Sequence, residues 1–255
     1  MVTCSDVMEF LEQIAPQALA EEWDNVGLMA GSKNAGIKKI LVCLDVTFGA
    51  LKKAVAEKAD LIVSHHPLIF KGIKRIVEDD VKGRQIYAAI RNGISVISAH
   101  TNLDYADRGV NYRLASVLGL TDTVLLGDGP GRVGMLENRK SLNDFVRHVK
   151  ECLDVPAVRV VGRADAGIQK VAVFSGSFDD DLSTVQRSGA EVIVTGDVKY
   201  HTALDAAEAG MCMIDAGHFN TEKIVLPYLA ASLAERFPEV EITRYKQETD
   251  PFITY

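Results

Sequence analysis

Two stretches of the 255-residue chain follow one pattern in different letters: Ala59-Asp60-Leu61-Ile62-Val63-Ser64 and Ala190-Glu191-Val192-Ile193-Val194-Thr195. Each is a small residue and an acid, then a short run that is apolar at every position, then a hydroxyl. A second pair follows in register, Ile97-Ser98-Ala99 and Ile214-Asp215-Ala216. A strand that is apolar throughout is buried on both faces, which is the mark of a parallel sheet covered by helices rather than of a half-solvated antiparallel one. The repetition predicts two similar lobes, against the bland alternative that any two strand-helix-strand units look alike.

Working outward, the first half reads as strands at 40–44, 61–63 and 94–98, alternating with helices at 49–58, 79–92 and 109–119. Residues 5–20 precede them as a helix with Ser5 as N-cap. The second half reads as strands at 171–174, 192–194 and 211–214, with helices at 180–188, 201–209 and 221–236. Pro227 lies inside the last of these and predicts a kink or a later true start. The middle, 120–168, breaks the pattern with a Gly-rich turn, a strand near 132–136, a Ser141-capped helix to about 153 and a strand at 157–161. Short strands at 240–245 and 252–255 close the chain. The fold class expected is α/β, two similar lobes of residues 1–125 and 126–255, each a mostly parallel sheet flanked by helices. The last strands are free to pack back on the first lobe.

Composition removes several classes of function. Hydrophobic residues are 47% and charged residues 25%, which excludes disorder and a coiled coil as the main state. No run reaches the roughly 18 apolar residues of a membrane span. The start, Met-Val-Thr-Cys-Ser-Asp, lacks the basic and apolar regions of a leader, so the expected location is the cytoplasm. The formal charge of −7 argues against a dedicated nucleic-acid binder, though not against a small phosphorylated ligand held by a metal. Cys4, Cys43, Cys152 and Cys212 are scattered without a C-x-x-C and read as small buried hydrophobes.

Ligands of open parallel sheets bind at the carboxyl ends of the strands. The residues at those ends are Asp45, His65, His66, His100, Asp104, Asp197, Asp215 and His218, so four of six histidines fall on these few positions. Neighbouring side chains on a strand point to opposite faces, but at a strand end leaving through Pro67 both imidazoles can converge. Glu222 follows His218 by four, a spacing that puts both on one side of a helix. His65, His66, Asp104, His218 and Glu222 thus offer three imidazoles and two carboxylates, a set for one borderline metal or for two sharing a carboxylate. The bland alternatives are a histidine pair bonded to backbone carbonyls and a set of solvated polar loops. Such mixed ligands accept Zn, Fe, Mn, Ni or Co. Gly129-Pro130-Gly131-Arg132-Val133-Gly134 matches G-x-G-x-x-G in letters, but strand-like residues follow it where a dinucleotide site needs a helix. Lys71, Lys74 and Arg75 form a basic cluster after the histidine pair and are candidates for contact with a phosphate, against the alternative of a solvated loop.

Four segments carry a resemblance. They are Trp23-Asp24-Asn25-Val26-Gly27-Leu28, Ser64-His65-His66-Pro67-Leu68-Ile69-Phe70-Lys71-Gly72, His100-Thr101-Asn102-Leu103-Asp104, and Thr195-Gly196-Asp197-Val198-Lys199-Tyr200-His201 through Asp215-Ala216-Gly217-His218-Phe219-Asn220-Thr221-Glu222. They resemble the dinuclear-metal family known as GTP cyclohydrolase I type 2 homologs, the YbgI-like or Nif-three-like proteins, in its short form without an inserted domain. The resemblance covers nearly the whole chain. It implies two divalent metals in a cleft between the lobes and a ring-shaped homohexamer. It implies that His66 and Asp104 bind one metal, His65 and His218 the other, and that Glu222 bridges, with His100 in the solvent network around them. Ser175-Gly176-Ser177-Phe178 departs from the family's Gly-rich turn and bears on the substrate side of the cleft.

The expected activity is metal-dependent hydrolysis of a nucleotide or related small molecule, ring opening of a purine nucleotide by the family's name. His100 and His201 are the candidate proton shuttles, because imidazole titrates near working pH. One alternative is non-enzymatic: metal storage, delivery or a regulatory scaffold. Another is a phosphoesterase, which the cluster from Lys71 to Arg75 favours.

Overall fold

The structure is a computed structural model that describes residues 1–178 and 181–253. In chain order the elements are α1 (Cys4–Ile14), β1 (Gly27–Ala30), β2 (Lys39–Cys43), α2 (Phe48–Glu57), β3 (Leu61–Ser64), α3 (Val81–Arg91), β4 (Ser95–Ser98), α4 (Thr101–Tyr105) and α5 (Val110–Val117). There follow β5 (Thr121–Leu125), β6 (Arg132–Ser141), α6 (Leu142–Leu153), β7 (Arg159–Val161), β8 (Gly167–Val173), α7 (Leu182–Ser188), β9 (Val192–Thr195), α8 (Tyr200–Glu208), β10 (Cys212–Asp215), α9 (His218–Glu222), α10 (Leu226–Arg236) and β11 (Glu241–Arg244). The chain forms two compact units, one of Met1–Ala106 with Leu226–Thr249, the other of Asp107–Val225 with Asp250–Tyr255.

In the first unit the strand order is β1-β4-β3-β2-β11. β2, β3, β4 and β11 are parallel, and β1 is added antiparallel to β4. Every residue of β3 and β4 is buried, serines included, as interior strands of a parallel sheet require. One face of the sheet packs Leu41, Ile62 and Val96 against Ala50, Leu51 and Ala54 of α2 and Ile86 and Ala89 of α3. α2 ends at Lys58 in a left-handed conformation. β11 pairs with β2 from Glu241 opposite Lys39 to Arg244 opposite Val42.

The second unit corrects the expectation of a mostly parallel sheet. Its order is β5-β6-β8-β9-β10-β7. Only the pairs β8–β9 and β9–β10 are parallel, while β5–β6, β6–β8 and β10–β7 are antiparallel. The reason lies in the connections. A parallel return needs a crossover of a dozen residues or more, whereas Leu126 N donates to Gly131 O at 2.9 Å across the tight Gly-rich turn between β5 and β6, which forces a hairpin. That turn leads directly into β6, so the G-x-G-x-x-G stretch opens a strand and not a helix. Two cores cover this sheet, one built on Leu114, Phe145, Val149, Val171 and Val192, the other on Phe174, Phe178, Val185, Ile193 and Met213.

Several boundaries follow from capping. α6 begins after Ser141, whose hydroxyl accepts from Asp144 N at 3.1 Å, as its sequence position predicts. α1 is capped by Thr3 and not by Ser5: Thr3 Oγ1 accepts from Asp6 N while Asp6 Oδ2 accepts from Thr3 N, a complete capping box that starts the helix earlier. The helix expected at 221–236 is divided into α9, a 3-10 turn at Lys223–Val225 and α10, with Pro227 in the first turn of α10 where its missing N–H costs nothing. Residues 252 and 253 form no strand, and the rest of the strand expected at 252–255 lies outside the described residues. Among the described residues no helix is long and apolar enough to cross a membrane.

The repeat extends to individual hydrogen bonds. Asp60 Oδ2 accepts from Lys38 N and Lys39 N at 2.7 and 3.0 Å, at the start of β2. Glu191 Oε2 accepts from Gln169 N and Lys170 N at 2.6 and 3.0 Å, in β8. Ala99 N donates to Ser64 O at 3.0 Å, and Ala216 N donates to Thr195 O at 2.8 Å.

Candidate metal centre

In the first unit the ladder continues past the end of β3. His65 N donates to Cys43 O at 3.2 Å and His66 N to Leu44 O at 2.9 Å, which fixes the backbone of both histidines before Pro67 turns the chain away. His65 is fully buried. Its Nδ1 lies 2.9 Å from Ala99 O. A carbonyl only accepts, so Nδ1 carries the proton and the lone pair of the neutral ring is on Nε2. That nitrogen stands 3.7 Å from Asp104 Oδ1. Asp104 comes from α4, a helix of five residues that places its carboxylate back toward the strand end.

His66 and His100 are held in a second way. His66 Nδ1 is 3.0 Å from Asp45 Oδ1, and His100 Nδ1 is 2.9 Å from Asp24 Oδ1. A carboxylate on Nδ1 directs the ring's lone pair to Nε2, the arrangement that metal-binding imidazoles share. The rings of His65, His66 and His100 have centroids 5.0, 5.3 and 5.5 Å apart in the three pairs. Each offers one ring nitrogen, and these nitrogens lie within 4.8 Å of one another. Nitrogen donors with the second nitrogen already anchored, beside a carboxylate, fit a divalent cation of borderline softness.

Electrostatics bear on the supports. Asp24 has a fully buried side chain, and burial by itself would raise its pKa. Hydrogen bonds from His100 and Thr101 overcome this and hold the carboxyl well below the usual carboxylate range. Glu248 accepts from Leu44 N and Asp45 N, each at 2.9 Å, and burial pushes its pKa up.

The second unit brings His218 and Glu222 together. They lie one turn apart on α9, with His218 Nε2 3.1 Å from the buried Glu222 Oε2, as the spacing of four predicts. His218 Nδ1 is 2.8 Å from Asp197 Oδ2, a third carboxylate–imidazole pair. Three glycines make room. A Cβ on Gly176 would meet Glu222 Oε1, and would sit 3.3 Å from His218 Cε1. One on Gly196 would meet Gly176 O and would lie 2.5 Å from His218 N. Gly217 has φ +86 and starts α9. The Ser175-Gly176-Ser177 turn, for all its departure from a Gly-rich run, keeps glycine where the carboxylate needs it.

The other expected residues divide. Asp215 is structural: it ion-pairs with Arg159 and accepts from Val198 N and Gly217 N at 3.1 and 3.0 Å. His201 is exposed at the start of α8, with its ring 5.3 Å from that of Tyr200, and is not among the residues that group as metal-capable. Lys71, Lys74 and Arg75 are exposed. The carboxylates behind the histidines went unassigned on sequence: Asp45 and Asp197 stood out only as strand-end residues, and Asp24 only within a resembling segment. No spacing rule connects residues 24 and 100; the nearest signal is that an imidazole ligand needs an acceptor for its second nitrogen.

The class defined here is an α/β protein with clustered, carboxylate-anchored imidazoles at strand ends. Comparison with known proteins makes it specific. The family model for Duf34/NIF3 (NGG1p interacting factor 3) matches residues 2–251, and the chain belongs to that family. A Clostridium perfringens protein named GTP cyclohydrolase 1 type 2 homolog is 36% identical, over 97% of this chain and 98% of the relative. The crystal structure of a Bacillus cereus protein related to NIF3 superposes with TM-score 0.95 at 27% identity, covering 100% of this chain and 99% of that one. Reduced HcgD from Methanocaldococcus jannaschii does so with TM-score 0.84 at 31% identity, covering 96% and 98%.

Proposed function

We propose that the chain is a divalent-metal hydrolase acting on a nucleotide or a related small molecule, with two ions held by His65, His66, Asp104, His218 and Glu222. The observation that carries this reading is the anchoring of Nδ1 on His65, His66 and His100, which directs three ring nitrogens toward one small region. The name shared by relatives, GTP cyclohydrolase 1 type 2 homolog, supports the choice of substrate class. Divalent cations at such ligands supply Lewis acidity and lower the pKa of water toward neutrality. His100 is the residue that takes and returns a proton, at Nε2, because Asp24 fixes its other nitrogen. His201 is a second candidate for that role, and Lys71 and Arg75 are candidates for contact with a phosphate. The reading includes a ring-shaped homohexamer in the cytoplasm.

The test is to purify the protein without chelator, measure metals by plasma mass spectrometry, and offer GTP and phosphodiesters. About two ions per chain are expected, with turnover that is lost on chelation and restored by one of Zn, Fe, Mn, Ni or Co. Glu222→Gln should lose most of the metal and the turnover together. Full turnover in a metal-free variant would overturn the reading. Tightly held metal without turnover on any nucleotide would favour storage or delivery.

A further inference from the structure

Trp23 is the chain's single tryptophan, and it is 60% exposed. Its ring packs edge-on against Phe70 at 5.7 Å and His100 at 6.3 Å, and Phe70, itself 42% exposed, stands 6.0 Å from His100. The loop that carries Trp23 is pinned on both sides of it. Glu21 N donates to Thr101 Oγ1 at 3.0 Å, and Tyr105 Oη donates to Glu21 Oε1 at 2.6 Å. Asp24 accepts from Thr101 N and Oγ1 at 3.0 and 2.5 Å, and Asn25 Nδ2 donates to Ile69 O at 2.5 Å. A large ring held this firmly and still left in solvent loses the benefit of burial, unless something planar covers it.

The segment that leaves Phe70 adds charge. Lys71, Lys74 and Arg75 are all exposed, and among the described residues none of them forms an ion pair. Aromatic faces beside free cations are what a flat ring bearing an anionic group selects: the rings stack on the base and the cations meet the phosphate. Glu22 is the exposed anion of the Trp23 loop, while the Asp24 carboxylate is turned inward to His100 and Thr101.

We infer that Trp23 and Phe70 form a stacking subsite beside His100 for a planar heteroaromatic ring that carries a phosphate, with Lys71, Lys74 and Arg75 receiving the phosphate. This rests on the hydrolase reading for its place in a reaction, and its test is made on binding alone. Trp23 fluorescence in the metal-loaded protein reports the event directly, since no other tryptophan contributes. Guanosine 5′-monophosphate should quench it and ribose 5-phosphate should not. Phe70→Ala should weaken the nucleotide by about tenfold in calorimetry and leave ribose 5-phosphate unchanged, as should Trp23→Ala. Alanine at Lys71, Lys74 and Arg75 together should weaken both phosphates and spare guanosine. Circular dichroism and metal content check that each variant is folded.

The proposal falls if the nucleotide leaves Trp23 unquenched, or if the ring variants bind it like the parent. It also falls if acrylamide cannot reach Trp23 in the ligand-free protein, which would mean that another copy of the chain covers the wall. Binding without turnover would leave the subsite standing and count against the hydrolase reading. Turnover indifferent to Trp23 and Phe70 would do the reverse.

Discussion

The second parallel strand of each unit's repeat ends in the same position but does different work there. After Ser64 the first unit places His65 and His66, two anchored imidazoles. After Thr195 the second unit places Gly196 and Asp197 at the corresponding positions. Gly196 admits the backbone of Gly176 and His218, and Asp197 holds the His218 ring. So one unit uses this site to present candidate ligands, and the other uses it to support a candidate ligand that follows the next strand. The geometry of the repeat is kept down to Asp60 and Glu191 on the strand starts. What changes is which residue faces the chemistry, and small polar substitutions at a strand end are enough to change it.

Four substitutions break or sharpen this contrast. Gly196→Ala should cost the most, about 3 kcal/mol, because the methyl would strike the Gly176 carbonyl and the His218 amide, both backbone groups with nowhere to go. Urea unfolding followed by circular dichroism measures it; a loss below about 0.5 kcal/mol would show that the close approach is dispensable. Next comes Asp24→Asn, in the first unit, where the repeat offers no counterpart because Gly217 stands in the place of His100. The folded-state pKa of Asp24 is depressed, so its stabilisation is present above the ordinary carboxylate value near 4 and fades as pH falls through the depressed one. The variant should be about 2 kcal/mol less stable than the parent at pH 7, and the difference should shrink below about pH 4. A gap that widens in acid would contradict the assignment. The smallest effect is expected from comparing Asp45→Asn with Asp197→Asn. Each keeps a hydrogen-bonding side chain but removes the charge behind an imidazole, so each should weaken metal binding about tenfold. Asn tolerates the left-handed backbone of Asp197, φ +47, so the second substitution tests charge and not strain. If only Asp45→Asn has an effect, the two units do not share the anchoring device.

Much of this was legible before any coordinates. Wholly apolar strands, and histidines at their ends, follow from periodicity alone, and β2, β3, β4, β8, β9 and β10 lie within a residue or a few of their expected positions. Ser141 announces α6 because an N-cap is a local device. What stayed hidden depends on distant partners. β7 enters the sheet antiparallel against β10, where Arg159 lies opposite Asp215 and ion-pairs with it, a partner 56 positions away. The pairing of Asp24 with His100 spans 76 positions. The Trp23–Phe70–His100 wall is similarly assembled from three loops and strand ends that periodicity does not relate.

The return of the chain to its first unit has a consequence for the order of events during synthesis. β11 completes the sheet beside β2, Lys39 Nζ meets Glu241 Oε1 at 2.7 Å, and Glu248 caps the amides of Leu44 and Asp45 next to the Asp45–His66 pair. Those partners leave the ribosome some 200 residues after the strand they finish. Domains generally fold as units while the chain is still growing. Residues 107–225, which make up nearly all of the second unit, can therefore settle first, and the unit that carries His65, His66 and His100 must wait for β11 and Glu248. The strand-end histidines of the first unit thus gain their last supports only once β11 and Glu248 have been made.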